Sequence, residues 1–144
     1  MIVTIADVLA GIKRFWDADP DLRRLVPGGL WFERPTESAA TPYAVGKVVE
    51  ADPARNSSSN YVQAFNFDLR VWSEAGPTDS GTIQRLVDLV FHQDRFDQLR
   101  IDRAIKVLDL RLLPGALEAD TARKESRDVM LLSRRWEILI QGSR

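Results

Sequence analysis

Phe65, Phe67, Leu69 and Val71 alternate with Asn66, Asp68 and Arg70, a period of two held over seven positions. Successive side chains of a strand leave opposite faces of the sheet, so this segment has one apolar face to bury and one polar face to leave outside. Such a strand belongs in a sheet whose covering layer lies on one side. Segments of helical period are available to supply that layer. Ile5, Val8, Leu9, Ile12, Phe15 and Trp16 fall on one stripe of a 3.6-residue repeat over residues 4–17,. Thr4 reads as its N-cap, with Asp7 three residues on as an acidic variant of the capping box,. Asp19 as cap and Pro20 at the first helical position open a second, short helix that turns Leu22, Leu25 and Val26 inward and stops at Pro27-Gly28-Gly29,. Ile83, Leu86, Val87, Val90 and Phe91 mark a third helix, capped by Asp79 or Ser80 after Gly76-Pro77,. Leu89 widens its stripe, which predicts a helix lying flat across the sheet,.

Four further strands complete the pattern. Leu30–Glu33 reads as a short one closed by Pro35, and Tyr43–Glu50 as one interrupted by Gly46 and Lys47,. Ile105–Leu113 is rich in branched aliphatics,. Val129–Gln141 is long and places Met130, Leu132, Trp136, Ile138 and Ile140 on one face, with Arg134 as the exception among them and Arg135 and Glu137 opposite. The order α-α-β-β-β-α-β-β predicts an α+β fold: a mainly antiparallel sheet of about five strands covered on one face by helices. Residues 1–144 make a single domain, with mobile connections expected near 52–60 (DPARNSSSN) and 114–128, the second holding EADTARKESRD,.

Composition mainly excludes. The 144 residues contain no cysteine and one histidine, which rules out disulfides, thiolate nucleophiles, iron–sulfur clusters and multi-histidine metal sites,. With 20 basic and 21 acidic side chains, net charge gives no attraction to nucleic acid or lipid,. Apolar runs are far shorter than the ~20 residues that cross a bilayer. The N-terminus also lacks the cationic start and cleavage site of a signal peptide, so a soluble protein that stays where it is made is expected,.

Candidate chemistry is sparse. His92, in FHQDRFD with Asp94 close by, lacks the nucleophile elbow that would give a His–Asp pair work to do; it reads as a polar residue at a helix C-terminus,. Asp19/Asp21 and Asp94/Asp97 read as solvated carboxylates. Gly28-Gly29 precedes a strand rather than a helix, so no phosphate cradle is formed,. Basic residues come at most in twos, each with acidic neighbours,. What remains is surface suited to a partner. Trp72 falls on the polar face of its strand, to be packed under a loop or buried against another chain, and arginine and aromatics are enriched at interfaces,. Trp72, Arg134 and Arg135, with Arg123, Lys124 and Arg127 of the charged connection, are the candidate subunit or partner interface.

Leu22 to Val26, Gly29-Leu30-Trp31, Thr41-Pro42-Tyr43-Ala44-Val45, and Phe67-Asp68-Leu69-Arg70-Val71-Trp72-Ser73 followed by a helix resemble the tail terminator, or tail completion, family of long-tailed bacteriophages. The resemblance runs over about residues 5 to 141. It implies a structural virion protein without enzymatic activity, metal or cofactor. Six copies would form a ring on the head-proximal end of the tail tube, halting its polymerisation and offering the surface to which the head docks. Its partners would be further copies of itself, the tail tube protein and a head-completion or connector protein, with DNA only as passing cargo and no membrane. It would reside in the tail or neck of the virion after assembly in the host bacterial cytoplasm. Two alternatives stand beside this: a head–tail connector on the portal side, and a small enzyme or ligand-binding domain using His92.

Overall fold

The computed structural model describes residues 3–33, 40–51, 62–74, 80–101, 105–114 and 128–142. Helices α1 (Ile5–Asp17) and α2 (Pro20–Leu25) lead into strands β1 (Leu30–Trp31), β2 (Tyr43–Glu50) and β3 (Val62–Glu74). Helix α3 (Ser80–Val90) then precedes β4 (Ile105–Leu112) and β5 (Asp128–Gly142), giving the order read from the sequence. A short 3-10 helix, Gln93–Gln98, which the periodicity does not reveal, comes after α3. The connection at 52–60, Asp79, and the connection at 114–128 apart from Pro114 and Asp128 lie outside the described residues.

Local chemistry sets the helix ends. The Asp7 amide donates to Thr4 Oγ1 at 3.2 Å and the Thr4 amide donates to Asp7 Oδ2 at 2.9 Å, a reciprocal capping box. These bonds hold the Asp7 carboxyl below the usual aspartate range. Asp19 Oδ1 accepts from the amides of Asp21 and Leu22 at 3.0 and 2.9 Å, and Pro20 gives up no intrahelical bond at the first position,. Gly29 then takes φ +79°, where a Cβ would be strained,. Gly28 matters for closeness instead: its amide donates to the Pro42 carbonyl at 2.9 Å, and a Cβ there would overlap the Ala40 carbonyl and approach Tyr43 Cβ to 2.6 Å.

The five strands form one sheet in the order β1-β2-β3-β5-β4. Every pair is antiparallel except the two-residue β1, which runs parallel to β2, so the sheet is mixed. Phe65, Phe67, Leu69 and Val71 are buried on one face, beneath Val8, Ile12 and Trp16 of α1 and Ile83, Val87 and Val90 of α3. Phe91, just past α3, is the hub of this layer. Its ring centroid lies 5.5 Å from Phe15, 6.3 Å from Trp16, 5.6 Å from Phe67 and 5.1 Å from Trp136, and Phe67 stacks on Trp136 at 5.5 Å. Gln63 fastens the N-terminal segment to β3, accepting from the Val3 amide at 2.8 Å and donating to its carbonyl at 3.0 Å.

Two sequence expectations are corrected by the packing. Leu89 does not widen the buried stripe of α3, because it is 61% exposed and points away from the sheet. Met130 does not share a face with Leu132. Val71 pairs with Leu132 but Trp72 pairs with Met130, so Leu131 is an extra residue in β5. That bulge reverses the alternation: Leu131 packs on the core, and Met130 crosses to the side of Trp72,. Leu108 is the matching extra residue in β4, between Val107 facing Ile140 and Asp109 facing Leu139.

Candidate interaction surface

The sheet face turned away from the helices carries the polar half of the period-two pattern. Register aligns its side chains in rows: Val45, Arg70 and Ser133; Lys47, Asp68 and Arg135; Val49, Asn66, Glu137 and Arg111. Arg135 grips Asp68 with two bonds, Nε to Oδ1 at 2.6 Å and Nη2 to Oδ2 at 3.0 Å. That hydrogen bonding raises the Arg135 guanidinium above its ordinary pKa, against a small desolvation penalty. One row along, Arg111 Nη2 donates to Glu137 Oε1 at 3.1 Å. Glu137 is only 7% exposed, so its charge is matched before any partner arrives. Two polar oxygens on this face, Asn66 Oδ1 and Ser133 Oγ, are buried and make no hydrogen bond within the described residues.

The described interface candidates do not form one cluster. Trp72 is 5% exposed, so of the two placements open to it the indole takes the one inside its own chain and offers no free aromatic to a neighbour. Arg134, the charged exception on the apolar face of β5, is neutralised by α3: Nε reaches Asp88 Oδ1 at 3.1 Å and Nη2 reaches Oδ2 at 3.5 Å. Arg135 sits on the opposite face and is spent on Asp68. Arg123, Lys124 and Arg127 lie outside the described residues.

Side chains also occupy the backbone at the β4–β5 margin. Leu113 donates its amide to the Arg135 carbonyl at 2.8 Å, which fixes which backbone groups turn toward β5. By alternation the Leu110 amide turns outward, and Asp109 Oδ1 accepts from it at 2.9 Å,. Beyond the end of β4, the Ser133 carbonyl accepts from Arg134 Nη1 at 3.0 Å, and the Leu131 carbonyl of the bulge accepts from Gln84 Nε2 of α3 at 3.1 Å.

His92 serves structure. Its Nδ1 accepts from the Asp94 amide at 3.1 Å, capping the 3-10 helix, so it starts a new element rather than complementing the end of α3. This bond occupies Nδ1, and the imidazole stands beside the Asp94 carboxylate. No group of three or more potential metal ligands occurs among the described residues. No helix among them is long and apolar enough to cross a membrane. No protein-family model matches the chain, and no curated protein matches it.

Proposed function

We propose that this chain is a tail terminator subunit of a long-tailed bacteriophage, working by shape in a six-membered ring that caps the head-proximal end of the tail tube. The observation that carries the reading is where the resembling motifs fall in the fold. Leu22–Val26 closes α2 onto the Gly28-Gly29 turn and β1, Pro42-Tyr43 opens β2, and Val71-Trp72-Ser73 ends β3 ahead of α3. A closed ring needs heterologous contacts between two different patches of each subunit. The helix-covered side and the ion-paired side of the sheet are two unlike surfaces of that kind.

Deleting the protein from an assembling phage and imaging the tails tests the proposal. Overlong tubes in its absence, restored to normal length on adding the purified chain, are expected. Tubes of normal length that fail to join heads would instead assign the chain to the connector on the portal side. Normal, head-joined tails would remove it from the neck altogether.

A further inference from the structure

His92 is the single histidine of the chain, and it caps the 3-10 helix through a nitrogen that a proton can take. To accept from the Asp94 amide, Nδ1 needs its lone pair, so the neutral ring carries its hydrogen on Nε2,. Protonation puts a hydrogen on Nδ1 as well, facing the amide hydrogen, and two donors make no bond. A second partner stands ready for the new donor, because Asp94 Oδ2 lies 3.6 Å from the same nitrogen. The ring is half-exposed, so solvent delivers the proton, and imidazole is the side chain whose charge changes between about pH 5 and 8,. Other charges nearby are committed elsewhere. Asp88, one turn earlier on α3, is paired with Arg134 of β5, and Arg95 turns to Gln98 Oε1 and the face of Phe15. On β4, which packs against the 3-10 helix, Arg111 is paired with Glu137, Asp109 holds the Leu110 amide, and Lys106 is the remaining charge. Asp94 is the acid within ion-pair reach of the ring among the described residues; Asp97, on the same short helix, is not.

What the cap holds is a weak link between two firm anchors. Gln93–Gln98 contains no buried residue, and Phe96 is only partly buried against the core. Phe91 before it and Leu99 and Ile101 after it are buried, and Arg14 Nη2 donates to the Ile101 carbonyl. Segments with few buried contacts open at the least cost, and the anchors confine such opening to the residues between them. We propose that His92 is an acid-operated catch on the connection between α3 and β4. Neutral, it holds the Asp94 amide and closes the first turn of the 3-10 helix. Protonated, it releases that amide and pairs with the Asp94 carboxylate, and Gln93–Gln98 opens while Phe91, Leu99 and Ile101 stay docked. The catch would operate whether or not the chain belongs to a phage tail.

Magnetic resonance spectra of the labelled full chain, recorded from pH 8 down to pH 5, test the catch, and the ring signals of a lone histidine report its charge without ambiguity. Stopping at pH 5 keeps ordinary carboxyl titration out of the window. The Asp94 amide signal should move along the same curve as the imidazole. Its protection against exchange, measured against the free-peptide rate at each pH, should fall about fivefold, the worth of one helix cap. The α-carbon shifts of Gln93–Gln98 should drift toward coil values while those of Phe91, Leu99 and Ile101 hold. His92→Asn keeps an acceptor at the cap at every pH and should abolish the step. Asp94→Asn keeps the amide but removes the charge, and should move the imidazole midpoint to lower pH. An Asp94 amide that ignores the imidazole, helical shifts retained through Gln93–Gln98 at pH 5, a step that persists in His92→Asn, or an unmoved midpoint in Asp94→Asn would each overturn the proposal.

Discussion

Replacing Phe91 with alanine tests the core where its geometry is most explicit. The ring is 2% exposed and lies within 6.3 Å, centroid to centroid, of four other aromatic rings drawn from α1, β3 and β5. Removing it deletes the transfer free energy of a phenyl group and opens a cavity that rings held by three elements cannot close. The expected loss is about 3–5 kcal/mol. At about 3 °C per kcal/mol for a chain of this size, the midpoint of thermal unfolding should fall by about 10–15 °C. Leu89, two residues earlier and 61% exposed, provides the control, and Leu89→Ala should change stability by no more than about 0.5 kcal/mol,. Urea unfolding followed by tryptophan fluorescence and by far-ultraviolet circular dichroism measures both, with coincident transitions as the two-state check. A Phe91→Ala loss below about 1.5 kcal/mol, or a Leu89→Ala loss above it, would refute the assignment of the α3 stripe.

Thr4→Ala breaks the capping box and should cost about 1 kcal/mol in the same urea assay,. The folded pKa of Asp7 is depressed, so its contribution is present above the unfolded aspartate value and is lost as pH falls through the folded one,. The stability gap between wild type and Asp7→Ala should therefore be constant near neutrality and shrink below about pH 4; a gap that persists in strong acid would refute the cap's role. The neighbouring glycines should separate by mechanism. Gly28→Ala forces a Cβ against the Ala40 carbonyl and Tyr43 and should cost about 3 kcal/mol, whereas Gly29→Ala has open space but an unfavourable φ and should cost about 1 kcal/mol,. Equal losses in calorimetric unfolding would show that crowding at Gly28 is relieved.

Elements written in local chemistry were legible in the sequence. The Thr4 and Asp19 caps, the Pro20 start and the alternation from Phe65 to Val71 each act within a few residues, and each appears where expected. The bulge at Leu131 was not legible, since an extra residue is defined by its pairing with β3, about sixty positions away in the chain,. Arg134 stood out correctly as an anomaly on an apolar face, but its resolution, Asp88, lies 46 residues earlier on another element. Trp72 and Arg135 show the same limit. Residue type marks them for an interface, while register spends one on the chain's own interior and the other on Asp68.

The Asp109, Arg134 and Gln84 bonds at the β4–β5 margin carry a consequence for life at high concentration. An uncovered strand is a template on which further chains can deposit, and fibrous aggregates grow from such templates. Here the docking groups at Leu110, Ser133 and Leu131 are already engaged, so an incoming strand would first have to displace them. Adding a strand along that hem therefore starts at a cost, the loss or sharing of the Asp109, Arg134 and Gln84 bonds.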